Sequence, residues 1–287
     1  MWSNSAAVIE HVKNSFAATE AGTSTLDAEV LGMSGSTGRK TRMFYNNLGN
    51  TQDAINVIDI GAKLGSSTAS FLKNNGNVSV CVVDDWSQGG SSEELINTVK
   101  SSKLTSVVSK PDDADLALLP KANIVLYDSF YFDGELERSV KKLSAVFADV
   151  CVLIVDDWNA IGVNNQTYNA LSAIDYTVVY ENGVKTNYDS EAAATYWNGM
   201  CVFVLVKNGV KADAPVPIVV APVAEPVAAP AEPVAAPAEP VAAPAEPVAE
   251  PVAEPVAEPV AEPVAAPAEP VAEQVAAPVE PVAETPA

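Results

Sequence analysis

Five apolar runs in the first three quarters of the chain are continuous rather than alternating. They are INVIDIG (55–61), VSVCVVDDW (78–86), LTSVVSK (104–110), ANIVLYDS (122–129) and VCVLIVDDW (150–158). Runs of this kind fit strands covered on both faces. Between them lie segments with helical spacing: SSTASFLKNN (66–75), SSEELINTVKSS (91–102), ELERSVKKLSAVF (135–147) and NNQTYNALSAI (164–174). Asn75-Gly76 reads as a helix stop, Ser91 to Glu94 as a capping box, and Leu136, Val140, Leu143 and Phe147 share one helix face. YTVVYENG (176–183) and GMCVFVLVKNG (199–209) end the series, too close together for another crossover helix. The pattern predicts an α/β fold: a doubly wound, mostly parallel sheet closed by an antiparallel hairpin at one edge.

Composition divides the chain. From Ala214 onward it consists of PVAEPVA and PVAAPAE units, which hold 19 of the 21 prolines and no Gly, aromatic, Lys or Arg. Regular proline removes donors and fixes φ, so residues 214–287 are expected to be a disordered, extended spacer, open to contact with a protein partner. The expected organisation is a helical N-terminal extension (1–30), one α/β domain (31–213) and this repeat tail. The tail's 12 glutamates account for −12 of the net charge of −21 and leave −9 on residues 1–213. An acidic body argues against nucleic acid and anionic membranes as partners. No apolar run is long enough to span a bilayer, and no signal peptide is evident. Cys81, Cys151 and Cys201 lie in strand-like runs without metal-ligand spacing, and read as buried small hydrophobes in a reducing, cytoplasmic setting. His11, the sole histidine, reads as a surface residue of the N-terminal helix.

Residues 57–68 (VIDIGAKLGSST) carry the strongest chemical signal. A buried strand meets Gly61, which permits a sharp turn and a close ligand approach. Gly65 lets the next helix begin close to the strand, and Ser66, Ser67 and Thr68 are placed to cap its first turn. Ligands of open α/β sheets bind at this edge. Ser66 stands where a phosphate-binding loop needs Lys, and Ala62-Lys63 break the G-x-G-x-x-G dinucleotide pattern. An NAD(P)-linked oxidoreductase therefore conflicts with the spacing.

Three strand ends carry acids: Asp84-Asp85, Asp128, and Asp156-Asp157. Asp84, ahead of Asp85, is suited to a ribose diol. Asp128, Asp156 and Asp157 are candidate ligands for Mg²⁺ or another divalent cation, or for a ligand hydroxyl or amine; alternatively, Asp156 or Asp157 caps the following turn. Trp86, Trp158 and Trp197 either line a pocket mouth or pack in the core. Arg39, Lys40 and Arg42 either orient an anion or form a solvated basic turn.

With these residues in view, the pattern Asp59-x-Gly61-x-x-x-Gly65-x-Ser67 resembles motif I of class I S-adenosylmethionine-dependent methyltransferases, a Rossmann-like fold. Residues 30–207, including GMSGSTGRKTRMFYNNL (32–48), LYDSFYFDGELERSVKKL and VDDWNAIGVNNQTYNAL, are similar to the macrocin-type O-methyltransferase branch. The resemblance implies S-adenosylmethionine held by Asp59, Gly61, Lys63, Gly65, Ser66, Ser67, Thr68, Asp84, Asp85 and Trp86, with Asp128 and Asp156 near the methyl donor and any metal. It implies O-methylation of a sugar-like or small polar acceptor. Comparable members often carry Asp-Gly-Pro-His where this chain has Asp128-Ser129-Phe130-Tyr131, so the His base is missing. Asp128 or Asp157 is the candidate base in its place. The competing reading is a non-catalytic module that keeps the fold and uses the tail as a spacer.

Overall fold

The computed structural model describes residues 2–129, 132–186 and 195–210. The expectations for the repeat tail, and those for Phe130 and Tyr131, lie outside these residues.

Among the described residues, seven strands form one sheet in the order β3-β2-β1-β4-β5-β7-β6. The strands are β1 (Ile55–Ile60), β2 (Val78–Asp84), β3 (Leu104–Val108), β4 (Ala122–Tyr127), β5 (Phe147–Asp156), β6 (Tyr176–Val184) and β7 (Met200–Lys207). Neighbouring strands from β3 through β5 pair in parallel. β7 runs antiparallel to both β5 and β6. This is the doubly wound, mostly parallel sheet with a terminal antiparallel pair that the periodicity predicts.

Alternation along the strands feeds two apolar layers. Val57, Val80, Ile124, Val152 and Val204 meet α1 (Ser5–Glu20), α3 (Arg39–Gly49), α4 (Ser66–Leu72) and α5 (Ser92–Val99), through residues such as Val12, Phe44, Phe71 and Leu95. Ile58, Val125, Cys151 and Phe203 meet α6 (Glu135–Leu143) and α7 (Ile161–Ala173) on the other side, through Leu136, Val140 and Ala170. All three cysteines are free and buried. α2 (Ala28–Leu31) is a single turn before α3.

Three segments differ from the sequence expectation. The helix expected over 135–147 ends at Leu143, and Phe147, expected on its apolar face, opens β5 instead. Arg39, Lys40 and Arg42 open α3 rather than forming a solvated turn. Arg39 is exposed, and Lys40 pairs with Glu20 at 2.5 Å. The Arg42 guanidinium is buried and donates to the carbonyls of Thr37, Val30 and Leu31 at 2.9–3.1 Å. His11 is not a bystander either, since its ring Nε2 bonds the Leu48 carbonyl at 2.9 Å and ties α1 to α3. Among the described residues, no helix is long and apolar enough to cross a membrane.

Candidate functional site

The strand order reverses between β1 and β4, since β2 and β3 lie to one side of β1 and β4 to the other. A crevice at the carboxyl ends of the strands is expected there. Two adjoining cavities of about 250 and 290 Å³ occupy it and share Gly61, Lys63, Gln88, Gly89 and Asp128.

The sequence folds this way because the turn after β1 admits no side chain. Gly61 has φ +81°, and a Cβ there would lie 2.0 Å from the Asp128 carbonyl oxygen. The ladder continues on both sides of this turn: Gly61 N–H donates to Val83 O at 3.0 Å and Asp128 N–H to Ile60 O at 2.9 Å. Gly65 has φ +89°, but its close neighbour is α5 rather than the strand, because a Cβ there would lie 2.5 Å from Leu95 Cδ1.

The acids form a row. Strand alternation puts Asp59, Asp84, Asp128 and Asp156 on the face that carries α3 and α4. The register Tyr127↔Val155 sets Asp128 beside Asp156. Each carboxylate has a different environment. Asp59 is fully buried; its Oδ2 accepts from Ser67 Oγ at 2.8 Å and Thr68 Oγ1 at 2.6 Å. Those hydroxyls therefore serve Asp59 instead of capping α4, and Ser66 Oγ meets Thr37 Oγ1 at 3.0 Å. Burial pushes the Asp59 carboxyl up to about 6. Asp84 accepts a backbone N–H on each oxygen, from Lys63 at 2.9 Å and Trp86 at 2.7 Å. It clamps the two loops together. Among the described residues, Asp85 accepts only on Oδ1, from the Ser87 N–H and hydroxyl, and borders the cleft. Both Asp84 and Asp85 border the cleft.

Asp128 borders both cavities. Burial first, with Asp157, Asp59 and Asp84 nearby, pushes its carboxyl up to about 8 against the opposing pull of Lys63. Asp156 is raised too, by burial and by Asp128 and Asp157, and its Oδ1 is buried without a hydrogen-bond partner among the described residues. Asp157 leaves β5 with φ +56° and turns its Oδ1 to accept from Asn198 Nδ2 at 2.8 Å.

The cleft therefore gathers Gly61, Lys63, Ser66, Ser67, Asp84, Asp85, Asp128 and Asp157, together with residues the sequence did not single out: Gly35, Ser36, Thr37, Gln88, Gly89 and Phe132. Asp59, Gly65, Thr68, Trp86 and Asp156 stand behind it. Trp86 donates its indole N–H to the Lys63 carbonyl and packs on the core, and Trp158 is buried against Tyr168 and Phe203. Trp197 is half-buried, and its carbonyl accepts from the Thr186 hydroxyl. Tyr45 is a further residue the sequence did not announce. It is buried from α3, stacks on Phe71 at 4.9 Å, and has its phenol raised by burial and by Asp156, Asp128, Asp59 and Asp157.

The divalent cation expected on Asp128, Asp156 and Asp157 does not fit. Among the described residues, no group of three or more His, Cys, Asp or Glu is arranged to hold a metal ion. Strand alternation separates Asp156 from Asp157, and only Asp128 and Asp157 of the three border the cleft. A hard cation needs more oxygen ligands than that. A nucleoside-like cofactor does fit: the glycine turn leaves its backbone open to a cavity beside hydroxyls and carboxylates.

No protein-family model matches the sequence, and no curated protein matches it. Among solved structures, the chain is similar to a putative O-methyltransferase from Nostoc punctiforme PCC 73102, with 15% identity over 58% of this chain and 55% of that one and a TM-score of 0.42. It is also similar to precorrin-6y C5,15-methyltransferase from Geobacter metallireducens GS-15, with 16% identity over 59% and 88% and a TM-score of 0.43. A putative methyltransferase from Thermoplasma acidophilum gives 13% identity over 55% and 70%, with a TM-score of 0.41. The match spans little more than half of the Nostoc protein. At these values no function passes from those proteins to this chain.

Proposed function

We propose that this chain binds S-adenosylmethionine in the cleft and transfers its methyl group to a small acceptor, an oxygen of a sugar-like or other small polar molecule. The observation that carries the reading is the turn at Gly61. It lies at the point where strand order reverses, tolerates no Cβ, and opens on two joined cavities. The antiparallel pair that ends the sheet is also what the motif I resemblance implies.

Gly61, Lys63, Ser66 and Ser67 would hold one side of the donor, and Asp85 would accept from its ribose hydroxyls. Asp84 positions that wall by fixing the Lys63 and Trp86 backbone. The bound donor supplies a methyl group already activated on a sulfonium. Asp128 would take the acceptor's proton. A carboxyl near 8 lies close to a neutral working pH, which a general base requires. Burial thus gives Asp128 the property for which a histidine was sought, and weakens the case for a non-catalytic module. Asp157, held by Asn198, would orient the acceptor.

Equilibrium dialysis with labelled S-adenosylmethionine tests this on the wild-type chain and Asp85→Ala. The expected result is retention by the wild type and roughly tenfold weaker retention by the variant, as for a lost charged hydrogen bond. Equal retention would remove Asp85 from the site. No retention by the wild type would remove the cofactor.

A further inference from the structure

The two cavities of the crevice differ in charge. The 250 Å³ cavity is bordered by Asp84, Asp85, Asp128 and Asp157. On the lining of the 290 Å³ cavity, among the described residues, Asp128 is the only acid and Lys63 the only cation. The Asp128 carboxyl, raised to about 8 chiefly by burial, is mostly protonated at neutral pH. Lys63 then sets the charge of this cavity, in an otherwise acidic body.

Two hydroxyls on the same wall leave a hydrogen unused. Thr37 Oγ1 and Ser66 Oγ lie 3.0 Å apart, and the two residues are 8% and 5% exposed. Each hydroxyl carries one hydrogen. One serves the bond between them, and the other has no acceptor among the described residues. Buried donors are normally satisfied, and both residues border the cavity. Gly35 leaves the pair uncovered, since a Cβ there would stand 2.8 Å from Ser66 Oγ. The same Cβ would lie 4.0 Å from Arg42 Nη2. Arg42 is 4% exposed, and its charge is met by backbone carbonyls and, among the described residues, by no carboxylate. A buried guanidinium without a counter-ion favours an anion nearby.

We propose that the 290 Å³ cavity is an anion subsite for a carboxylate or a phosphate monoester, held by the Lys63 ammonium and the unused hydroxyl hydrogen of the Thr37–Ser66 pair, with the Arg42 charge behind Gly35. The subsite stands on these groups alone. It rests on the methyl-transfer reading only for which anion fills it, the α-carboxylate of the donor or an acid group on the acceptor.

Two ligand pairs, titrated calorimetrically into the full chain, separate these sources. S-adenosylhomocysteine and 5′-methylthioadenosine share the nucleoside and the sulfur, and only the first has the amino-acid end. Glucose 6-phosphate and glucose differ by the phosphate. The acid-bearing member of one pair is expected to bind about tenfold more tightly than its partner, as for one charge-assisted contact. Lys63→Gln keeps the backbone N–H that Asp84 holds, so it is expected to fold. It should bring the preference to within about twofold. Thr37→Val with Ser66→Ala removes both members of the hydroxyl pair, which leaves no new orphan, and should weaken the preference by about threefold. A first-pair preference lost in Lys63→Gln assigns the donor carboxylate, and a second-pair preference lost there assigns an acceptor phosphate. No preference in either pair, or a preference unchanged in both variants, overturns the proposal. So does a first-pair preference that Lys63→Gln strengthens, because the recognised group is then the ammonium. If neither nucleoside binds while glucose 6-phosphate keeps its Lys63-dependent preference, the donor reading falls and the anion subsite stands.

Discussion

Gly61 and Asp128 meet back to back: the Cα of one faces the carbonyl of the other so closely that a Cβ at Gly61 would stand 2.0 Å from the Asp128 oxygen. The contact joins β1 to β4 where the sheet changes direction, and it puts the candidate base against the candidate cofactor turn. Gly61→Ala combines this clash with φ +81°. It should destabilise the protein by about 2–4 kcal/mol and push the two strand ends apart. Urea unfolding followed by tryptophan fluorescence reads the loss; a change below about 0.5 kcal/mol would show that the turn is not tight.

Asp128→Asn separates stability from activity. The folded-state carboxyl near 8 lies above the ordinary carboxylate value, so the folded chain holds its proton while the unfolded chain releases it. Wild-type stability therefore falls as pH rises from about 4 to 8, and the fall stops above that. The groups acting on Asp128 are Lys63, Asp157, Asp59 and Asp84, with Asp156 beside it. The variant, which cannot ionise, should match the wild type near pH 4 and melt on the order of 5 °C higher by pH 8. It should lose methyl transfer, whereas wild-type turnover should climb with pH through about 8. Melting curves across pH check the first statement, and a pH–rate profile the second.

Much of this was legible from the chain, and what was not has a physical cause. β1, β2, β4 and β5 announce themselves because strands buried on both faces leave continuous apolar runs. α3 does not, because its buried face includes Thr41, Arg42 and Asn46. Asn46 is buried because its amide donates to the Ser70 and Lys73 carbonyls and its Oδ1 accepts from Thr25. Polar side chains that find partners only in three dimensions erase the amphipathic stripe that a sequence reading depends on. The same holds at the site. The acids at the strand ends were visible, but whether an acid faces the cleft depends on partners, such as Lys63 N and Trp86 N on Asp84, that sequence spacing does not display.

Arg42 is a positioning residue for the cleft wall. It anchors the backbone at residues 30, 31 and 37 through three carbonyls, and Gly35 to Thr37 border the 290 Å³ cavity of the crevice beside Ser66. Arg42→Leu leaves those carbonyls without their donor and should cost about 2–3 kcal/mol. It should also raise amide hydrogen exchange across residues 30–37 while leaving β6 and β7 unchanged. Uniform exchange throughout would mean that the arginine does not fix this loop in particular.

Removing residues 214–287 should leave the α/β body intact. The repeat supplies no aromatic and no base to a core or a site. The truncated chain is expected to melt within about 2 °C of the full chain, as for a segment whose composition offers nothing to a core. A drop larger than about 5 °C would mean that the repeat packs on the body.

The most direct measurement is isothermal titration of the full chain with S-adenosylhomocysteine, with NAD⁺ and ATP as comparators. The account predicts saturable, micromolar binding of S-adenosylhomocysteine alone, unaffected by EDTA because no acids among the described residues are grouped to hold a cation. Absence of that binding, or equal binding of NAD⁺, would contradict it.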